Sequence, residues 1–243
     1  MRTEIKLDTC ELLEWDSAFF GRRIGQIRGN VLTNELIDQI RACAYAQAID
    51  CLYFFGRTDD YETVRLAEKA GLSLVDIRTE YKRRIQLDED WIHPEVTRFF
   101  KPDDLPELAQ IAQTSHTDSR FYFDGNFSRA QCDRLFKTWI QRSCSGWADG
   151  VLVAVQHNAP AGYLTCHCRP NASGHIGLLA VSDNWRCKGL GMALVQSALS
   201  YFHSKGISDV SVVTQGRNGP SQRLYQRSGF LTSQTYLTYH WWL

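Results

Sequence analysis

Between residues 175 and 225 the chain gathers residue types suited to holding a phosphate-bearing ligand and giving a proton to a leaving group. The run Arg186-Cys187-Lys188-Gly189-Leu190-Gly191-Met192 lies where an apolar stretch, HIGLLAV (175–181), gives way to a long amphipathic pattern. Glycines let the main chain approach a ligand closely, and N–H groups at the positive end of a helix point at an anion. Arg186 and Lys188 add positive charge, and the flexible Lys188 stem reaches toward an outer phosphate. The spacing is neither that of a P-loop nor that of a dinucleotide fingerprint. Taken alone, the same glycines would also serve an ordinary helix start. Further on, Asn218-Gly219-Pro220-Ser221 leads to Leu224-Tyr225 and Gly229-Phe230. A tyrosine hydroxyl, with a pKa of about 10, can protonate a leaving group. Tyr225 would equally suit a helical core.

A second group stands earlier. Arg120, Phe121, Tyr122 and Phe123, with Asp124 after them, bring a guanidinium and aromatic faces together. Those types bind phosphate and stack on a base; they would also plug a core, with Arg120 solvated. His116 is a candidate proton acceptor or a surface histidine. Cys166, Cys168 and His175 lack a usual zinc spacing and read as alternating residues of a half-buried strand, so no metal is expected. Cys166, Cys168 and Cys187 stand in no readable Cys–His arrangement, which argues against a covalent cysteine route.

The bulk composition narrows the classes. Lys plus Arg and Asp plus Glu number 27 each, so no global field draws nucleic acid or an acidic membrane. No apolar run approaches the roughly 18 residues of a membrane span, and the opening residues mix charges throughout. The eight cysteines are scattered along 243 residues, which suits a cytoplasmic protein.

These residues need elements to position them. Periodicity predicts strands at 24–28, 52–55 and 72–85, alternating with helices at 34–49 and 60–70. After a break around 88–94 it predicts helices at 104–113 and 128–143, and strands at 151–156, 161–167 and 175–181. A helix at 190–203, a strand at 210–214, a helix at 220–226 and a strand at 236–242 complete the series. The residues from 120 to 123 read as part of a loop between two helices. The fold class is α/β (α+β), with domains expected at 1–93 and 94–243. An internal echo links the halves: aligned on Gly71 and Gly229, Leu66 matches Leu224, Leu72 matches Phe230 and Tyr81 matches Tyr239. Ala67 stands opposite Tyr225, and Val31 and Thr33 stand opposite Gly189 and Gly191. A duplication whose first copy kept the scaffold and lost the chemistry would give this pattern, as would two similar units arising by chance.

The ordered set of apolar strand, R-x-x-G-x-G-x-A at 186–193, a further strand, N-x-x-S-x-x-L-Y-x-x-x-G-F at 218–230 and a terminal aromatic strand resembles the GNAT acetyltransferase superfamily. The resemblance covers about 101–243. It implies a mixed, splayed central sheet and acetyl-CoA as co-substrate, preceded here by a smaller, degenerate GNAT-like half. It further implies that Leu179, Ala180 and Val181 bind the pantetheine arm and that the amides from Arg186 through Cys187, Lys188, Gly189, Leu190 and Gly191 to Met192 hold the pyrophosphate. Asn218 and Ser221 would line the far side of the arm, and Tyr225 would protonate the departing thiolate. The opening Leu13-Glu14-Trp15-Asp16-Ser17-Ala18-Phe19-Phe20-Gly21 and the stretch Ser119-Arg120-Phe121 resemble TDP-fucosamine N-acetyltransferases. The fuller 186–191 loop and Pro220 depart from them. That likeness implies a nucleotide-linked (TDP) amino sugar for cell-surface polysaccharide synthesis, met by His116, Arg120, Phe121, Tyr122 and Asp124. The rivals are another small amine or a peptide N-terminus as acceptor, and a silent acyl-CoA-binding module. A polyamine would call for clustered carboxylates, whereas Asp103, Asp104, Glu107, Asp118 and Asp133 are dispersed. A homodimer paired through an edge strand at 236–242 is a further expectation.

Overall fold

The computed structural model describes residues 9–86, 94–170 and 172–243. In chain order the elements are β1 (Cys10–Leu12), α1 (Glu14–Phe20), β2 (Ile24–Ile27), α2 (Asn34–Ala46), β3 (Cys51–Arg57), α3 (Tyr61–Lys69) and β4 (Ser73–Arg84). Then come β5 (Thr97–Phe99), α4 (Leu105–Ser115), α5 (Arg120–Phe123), α6 (Arg129–Arg142), β6 (Gly150–Gln156), β7 (Ala159–Cys168) and β8 (Ser173–Val181). The chain ends with α7 (Leu190–Ser204), β9 (Asp209–Gln215), α8 (Gly219–Arg227) and β10 (Leu231–Trp242). The break expected at 88–94, with its boundary after residue 93, falls largely outside the described residues.

Contacts group the chain into two compact units that do not follow chain order. The first holds residues up to Arg78, Ser119–Phe127 and Thr235–Leu243; the second holds Thr79–Asp118 and Ser128–Gln234. The chain therefore passes between units within β4 and again within β10. In the first unit the strand order is β1-β2-β3-β10, with β2 parallel to β3 and β10 antiparallel to it. In the second it is β4-β9-β8-β7-β6-β5, antiparallel from β8 to β5 and parallel between β8 and β9. The mixed sheet follows from the connections: short turns join β6, β7 and β8, while α7 carries the chain from β8 across to a parallel β9.

Helix starts are fixed locally. Thr33 and Asp60 cap α2 and α3 by accepting from Leu36 and Thr63 amides, and Ser128 with Gln131 forms a capping box on α6. Each unit has its own core. Ile40, Leu52, Phe54, Leu66 and Trp241 fill the first, and Leu164, Ile176, Leu194, Phe202 and Phe230 the second. Cys10 and Cys43 are disulfide-bonded, tying β1 to α2, a pairing that scattered spacing did not signal.

The echo between halves is carried through in three dimensions. Every boundary of β3, α3 and β4 recurs 158 residues later in β9, α8 and β10, from Cys51 and Asp209 to Arg84 and Trp242. Gly71 and Gly229 both take left-handed φ, at +86° and +77°. At the first helix of the echo the copies diverge, since the Thr33 hydroxyl caps α2 whereas Gly189 gives α7 no side-chain cap.

Two expectations are corrected. Residues 120–123 are not a plain loop: burial of Phe121 against Phe20, Phe127 and Tyr53 draws them into the short α5. Nor are residues 236–242 an edge strand free to pair with a second copy, because Tyr236 to Trp242 pair with Arg57 to Cys51 of β3. That pairing also buries a polar junction in the first unit. Asp124 Oδ2 accepts from His240 Nδ1 at 2.5 Å and Trp242 Nε1 at 2.9 Å, while Oδ1 accepts from the Asn126 amide and side chain.

Burial alone would raise the Asp124 carboxyl, but hydrogen bonds from His240, Asn126 and Trp242 outweigh it and hold it at about 2. Burial lowers His240 to about 4 despite its carboxylate neighbour, so the pair is a carboxylate accepting from a neutral imidazole. Replacing Asp124 by Ala strands two buried donors and should cost about 3 kcal/mol in urea unfolding. Both groups have folded pKa values below their unfolded ones. Stability should therefore be complete above pH 6.5, fall as His240 is protonated toward pH 4, and fall again as Asp124 follows. Denaturation midpoints measured across pH 3–7 should show both losses in the native chain; in Asp124→Ala the loss linked to His240 should persist and the one linked to Asp124 should vanish.

Candidate functional site

The candidate site lies in the second unit, where two parallel strands part. β8 and β9 pair from Ser173 and Asp209 as far as Ile176 and Val212, and both continue beyond that point without pairing to each other. β8 keeps its other neighbour, since Leu179, Ala180 and Val181 stand opposite Leu164, Tyr163 and Gly162 of β7. Between Ile176 and Leu179, β8 carries one residue more than β7 does between Cys166 and Leu164. Such a bulge bends a strand and increases its twist, and it begins at the last residue paired with β9.

The bulge has its own supports. Leu178 N–H donates to Thr165 Oγ1 at 2.8 Å, replacing a ladder bond with a side-chain one. Gly177 sits so close to β7 that a Cβ there would lie 2.6 Å from His167 Nε2 and 2.8 Å from Thr165 Oγ1. Leu178 N–H and Ser182 N–H both turn toward β7, the latter donating to Ala161 O at 2.9 Å. Alternation therefore turns the main-chain groups of Leu179 and Val181 to the parted side.

After β8 the chain makes a 3-10 turn, Asp183–Trp185, and then the glycine-rich loop. Cys187 and Gly189 take left-handed φ of +61° and +83°. Left-handed residues among right-handed ones turn successive N–H groups toward one concavity. α7 starts at Leu190, so Leu190, Gly191 and Met192 form its first turn, with no side-chain cap from Gly189. The Leu190 side chain is buried in the core, whereas Met192 Sδ accepts from Ser228 Oγ at 3.3 Å.

The two cations of the loop are both held. Arg186 donates from Nε to Val181 O at 3.2 Å and pairs with Asp183 at 2.7 Å, which staples the loop to the end of β8. Lys188 Nζ lies 4.3 Å from the centroid of the Trp185 ring, within cation–π range. Sequence reasoning passed over Asp183 and Trp185, although both lie within three residues of Arg186, where the loop begins.

Across the gap, Asn218 Oδ1 accepts from Ser221 N–H at 3.1 Å, placing both residues at the start of α8. Tyr225, one helical turn on, is buried between Tyr81 and Phe230, with ring centroids 6.1 and 5.9 Å away. Burial pushes its hydroxyl pKa well up, so the phenol is protonated at neutral pH.

His116 ends α4, and its Nε2 lies 2.8 Å from the Tyr163 hydroxyl, with the ring stacked on Phe136. Burial, with a smaller contribution from the Arg186 guanidinium, lowers its pKa to about 4, so the imidazole is neutral at pH 7. Tyr163 stands opposite Ala180 in the β7–β8 ladder, a link between His116 and the parted strand that no sequence spacing reveals. Arg120, Phe121, Tyr122 and Asp124 belong instead to the first unit. There Phe121 is buried, Tyr122 is half-buried and both Asp124 oxygens are committed to the junction described above. Among the described residues no group of three or more His, Cys, Asp or Glu could hold a metal ion, and no helix is long and apolar enough to cross a membrane.

Comparison with known proteins follows the same geometry. The model of the acetyltransferase (GNAT) family matches residues 105–230. Among curated proteins, the spore coat polysaccharide biosynthesis protein SpsD of Bacillus subtilis is 28% identical over 142 residues, 58% of this chain and 49% of that protein. The chain thus spans about half of that relative. The dTDP-fucosamine acetyltransferase of Escherichia coli O6:H1 is 24% identical over 227 residues, covering 91% of this chain and 92% of that one. Among solved structures, a GCN5-related N-acetyltransferase from Sphaerobacter thermophilus superposes with a TM-score of 0.67 at 18% identity. It covers 96% of this chain and 76% of that one, and shows the shared fold.

The bulge supplies a direct test of the site's architecture. Gly177→Ala drives a methyl into Thr165 and His167 and should cost about 2 kcal/mol, in the range of small overpacking changes. Coenzyme A binding, followed by calorimetry at a temperature where the variant remains folded, should weaken as the parted edge shifts. A variant with native melting temperature and native affinity would show that the bulge does not set the gap.

Proposed function

The chain belongs to the acetyltransferase (GNAT) family and is an acetyl-CoA-dependent N-acetyltransferase; from that premise we propose that its acceptor is the amine of a nucleotide-linked amino-deoxy sugar. The observation that carries the cofactor half is the parting of β8 from β9 beside a helix start that no side chain caps. An extended, amide-bearing arm can complete the open edge of a strand, and a pyrophosphate suits uncapped amides in a left-handed turn. The residues present fit that group.

In this reading the main-chain groups of Leu179 and Val181 hold the pantetheine amides, with Ala180 turned to β7. The amides from Arg186 to Met192 face the pyrophosphate, and Arg186 itself locks the turn. Asn218 and Ser221 line the opposite wall. Bound acetyl-CoA supplies an activated acyl thioester. A strand N–H near Val181 stabilises charge developing on the carbonyl oxygen, and Tyr225 gives its proton to the departing sulfur. A buried phenol stays protonated until a stronger base forms beside it, which suits an acid that must act on a thiolate. Direct attack by the acceptor amine forms the C–N bond as the C–S bond breaks, with no covalent enzyme intermediate. The proton shed by the nitrogen passes to water, Tyr225 regains its own from solvent, and in this reading neutral His116 accepts a hydrogen bond from the amine.

The sugar half of the proposal draws on the dTDP-fucosamine acetyltransferase, aligned with nearly the whole chain, and on the polysaccharide-related SpsD. The match to the dTDP-fucosamine acetyltransferase over nearly the whole of both chains favours a sugar amine over a peptide terminus. We place the reaction in the cytoplasm, where a nucleotide sugar and acetyl-CoA meet.

Incubation with acetyl-CoA and a panel of TDP-amino sugars, peptides and small amines should release thiol and add one acetyl group to a sugar nucleotide. Acetylation confined to peptides or other amines would replace the substrate and leave the family intact. Tyr225→Phe should lower kcat about a hundredfold, the usual scale for a lost general acid, with the KM for acetyl-CoA nearly unchanged. Unchanged turnover in that variant would remove Tyr225 from its role.

A further inference from the structure

The first unit contains a cation whose surroundings leave its charge unanswered. The Arg120 guanidinium lies 4.6 Å from the ring centroids of both Tyr53 and Phe121 and 5.6 Å from that of Phe55. Aromatic faces hold a guanidinium in one place but do not neutralise it. Arg120 Nε is sealed from solvent without a hydrogen-bond acceptor, and so are the Ser119 Oγ beside it and the Tyr53 Oη. Buried polar groups nearly always have partners, so three without one around a single side chain mark a place where a polar partner is missing.

The nearby carboxylates do not supply that partner. Asp124 is bound to His240, Trp242 and Asn126. Asp16 on α1 senses Arg120, but among the described residues it makes no ion pair with it; burial raises the Asp16 carboxyl more than the guanidinium lowers it. A second guanidinium shares the same ring, since Arg78 on β4 also lies 5.6 Å from the Phe55 centroid. Phe55 and Arg120 are themselves only half-buried. Two guanidiniums around one partly open aromatic ring match a ligand that carries clustered anionic oxygens and a flat face.

We propose that Arg120 and Arg78, gathered on Phe55 with Ser119 and Tyr53 beside them, form a binding site of the first unit for a nucleoside diphosphate. The guanidinium forks meet the phosphate oxygens, the Ser119 and Tyr53 hydroxyls rotate to complete their shell, and the base lies against the exposed aromatic edge. The first half of the chain, which lacks counterparts of Gly189 and Tyr225, thereby has a ligand of its own. Among the residues that build this site, Phe55, Tyr53 and Arg78 carry no sequence motif.

Titration calorimetry on the full chain tests this, with coenzyme A present at saturation so that its own diphosphate site is filled. The probes are dTDP and inorganic pyrophosphate. The native chain should bind dTDP, and Arg120→Lys and Arg78→Gln should each weaken it by roughly tenfold or more, the scale of a lost charge-assisted fork. Coenzyme A affinity should be unchanged in both. Pyrophosphate binding with the same dependence on the two arginines, but weaker than dTDP, would separate the phosphate contribution from that of the base. Absence of dTDP binding to the native chain, or native affinity in both variants, would overturn the site. If Arg120→Lys fails to fold, Arg78→Gln and Phe55→Leu decide the matter. Arginine-dependent dTDP binding without acetylation of any sugar nucleotide would keep this site and reject the acceptor reading. Acetylation of a sugar nucleotide together with native dTDP affinity in both arginine variants would keep the acceptor reading and reject this site.

Discussion

Parallel strands hold each other through evenly spaced hydrogen bonds, and β8 gives up those bonds with β9 after Ile176 while keeping β7 as a neighbour through Val181. The second unit is organised around that loss. Unpaired strand groups are costly in a protein interior, so an open internal edge persists only when something else fixes the strand. Here the bulge fixes it: Thr165 takes the displaced Leu178 amide, and Gly177 admits the close approach to β7. Arg186 then ties Val181 O to the loop that opens α7. The gap, the turn and the helix start are thus coupled through one strand, and α8 brings Asn218, Ser221 and Tyr225 to the opposite wall.

Much of this frame was legible in the sequence because its signals are local. The alternation in 175–181, the glycine pair of 186–191 and the Asn218-to-Phe230 spacing each sit within one strand–turn–helix step. Their combination identified the family and set nearly every element of the second unit. The bulge was not legible, since HIGLLAV alternates with no visible interruption and only pairing with β7 reveals the extra residue. The His116–Tyr163 contact joins residues 47 apart and depends on α4 lying against β7. The aromatic strand at the C-terminus was read as an edge because composition says nothing of neighbours, and β3 occupies that place. Likewise α5 escaped notice, since four residues carry no periodicity and only the burial of Phe121 makes them helical.

The repeated β–α–β arrangement explains why the two units do not follow chain order. In each copy the final strand is long, twelve residues in β4 and twelve in β10, and the unit boundary crosses both strands, after Arg78 in β4 and after Gln234 in β10. The second half of β10 pairs with β3 of the first copy, while the end of β4 belongs with β9 of the second. Each copy thus completes the other's strand set, which makes a cut between the halves poorly suited to yielding two independent folds. A sequence boundary drawn at a polar break could not anticipate an exchange of strands.

The same repeat shows at which positions the first half lacks groups that the second half has. A phosphate cradle needs helix amides with no acceptor of their own, and a hydroxyl at the cap position supplies an acceptor. Thr33 does so for α2, at a cost to ligand binding but a gain to helix stability, and Ala67 removes the phenol that Tyr225 provides in the other copy. Neither residue disturbs the core, because Ala67 is fully buried and the α3 boundaries match those of α8 residue for residue. Chemistry and scaffold therefore separate at few positions. In the second copy the glycine cap leaves α7 without that stabilising bond, and an anion at its amides is the interaction that would restore it.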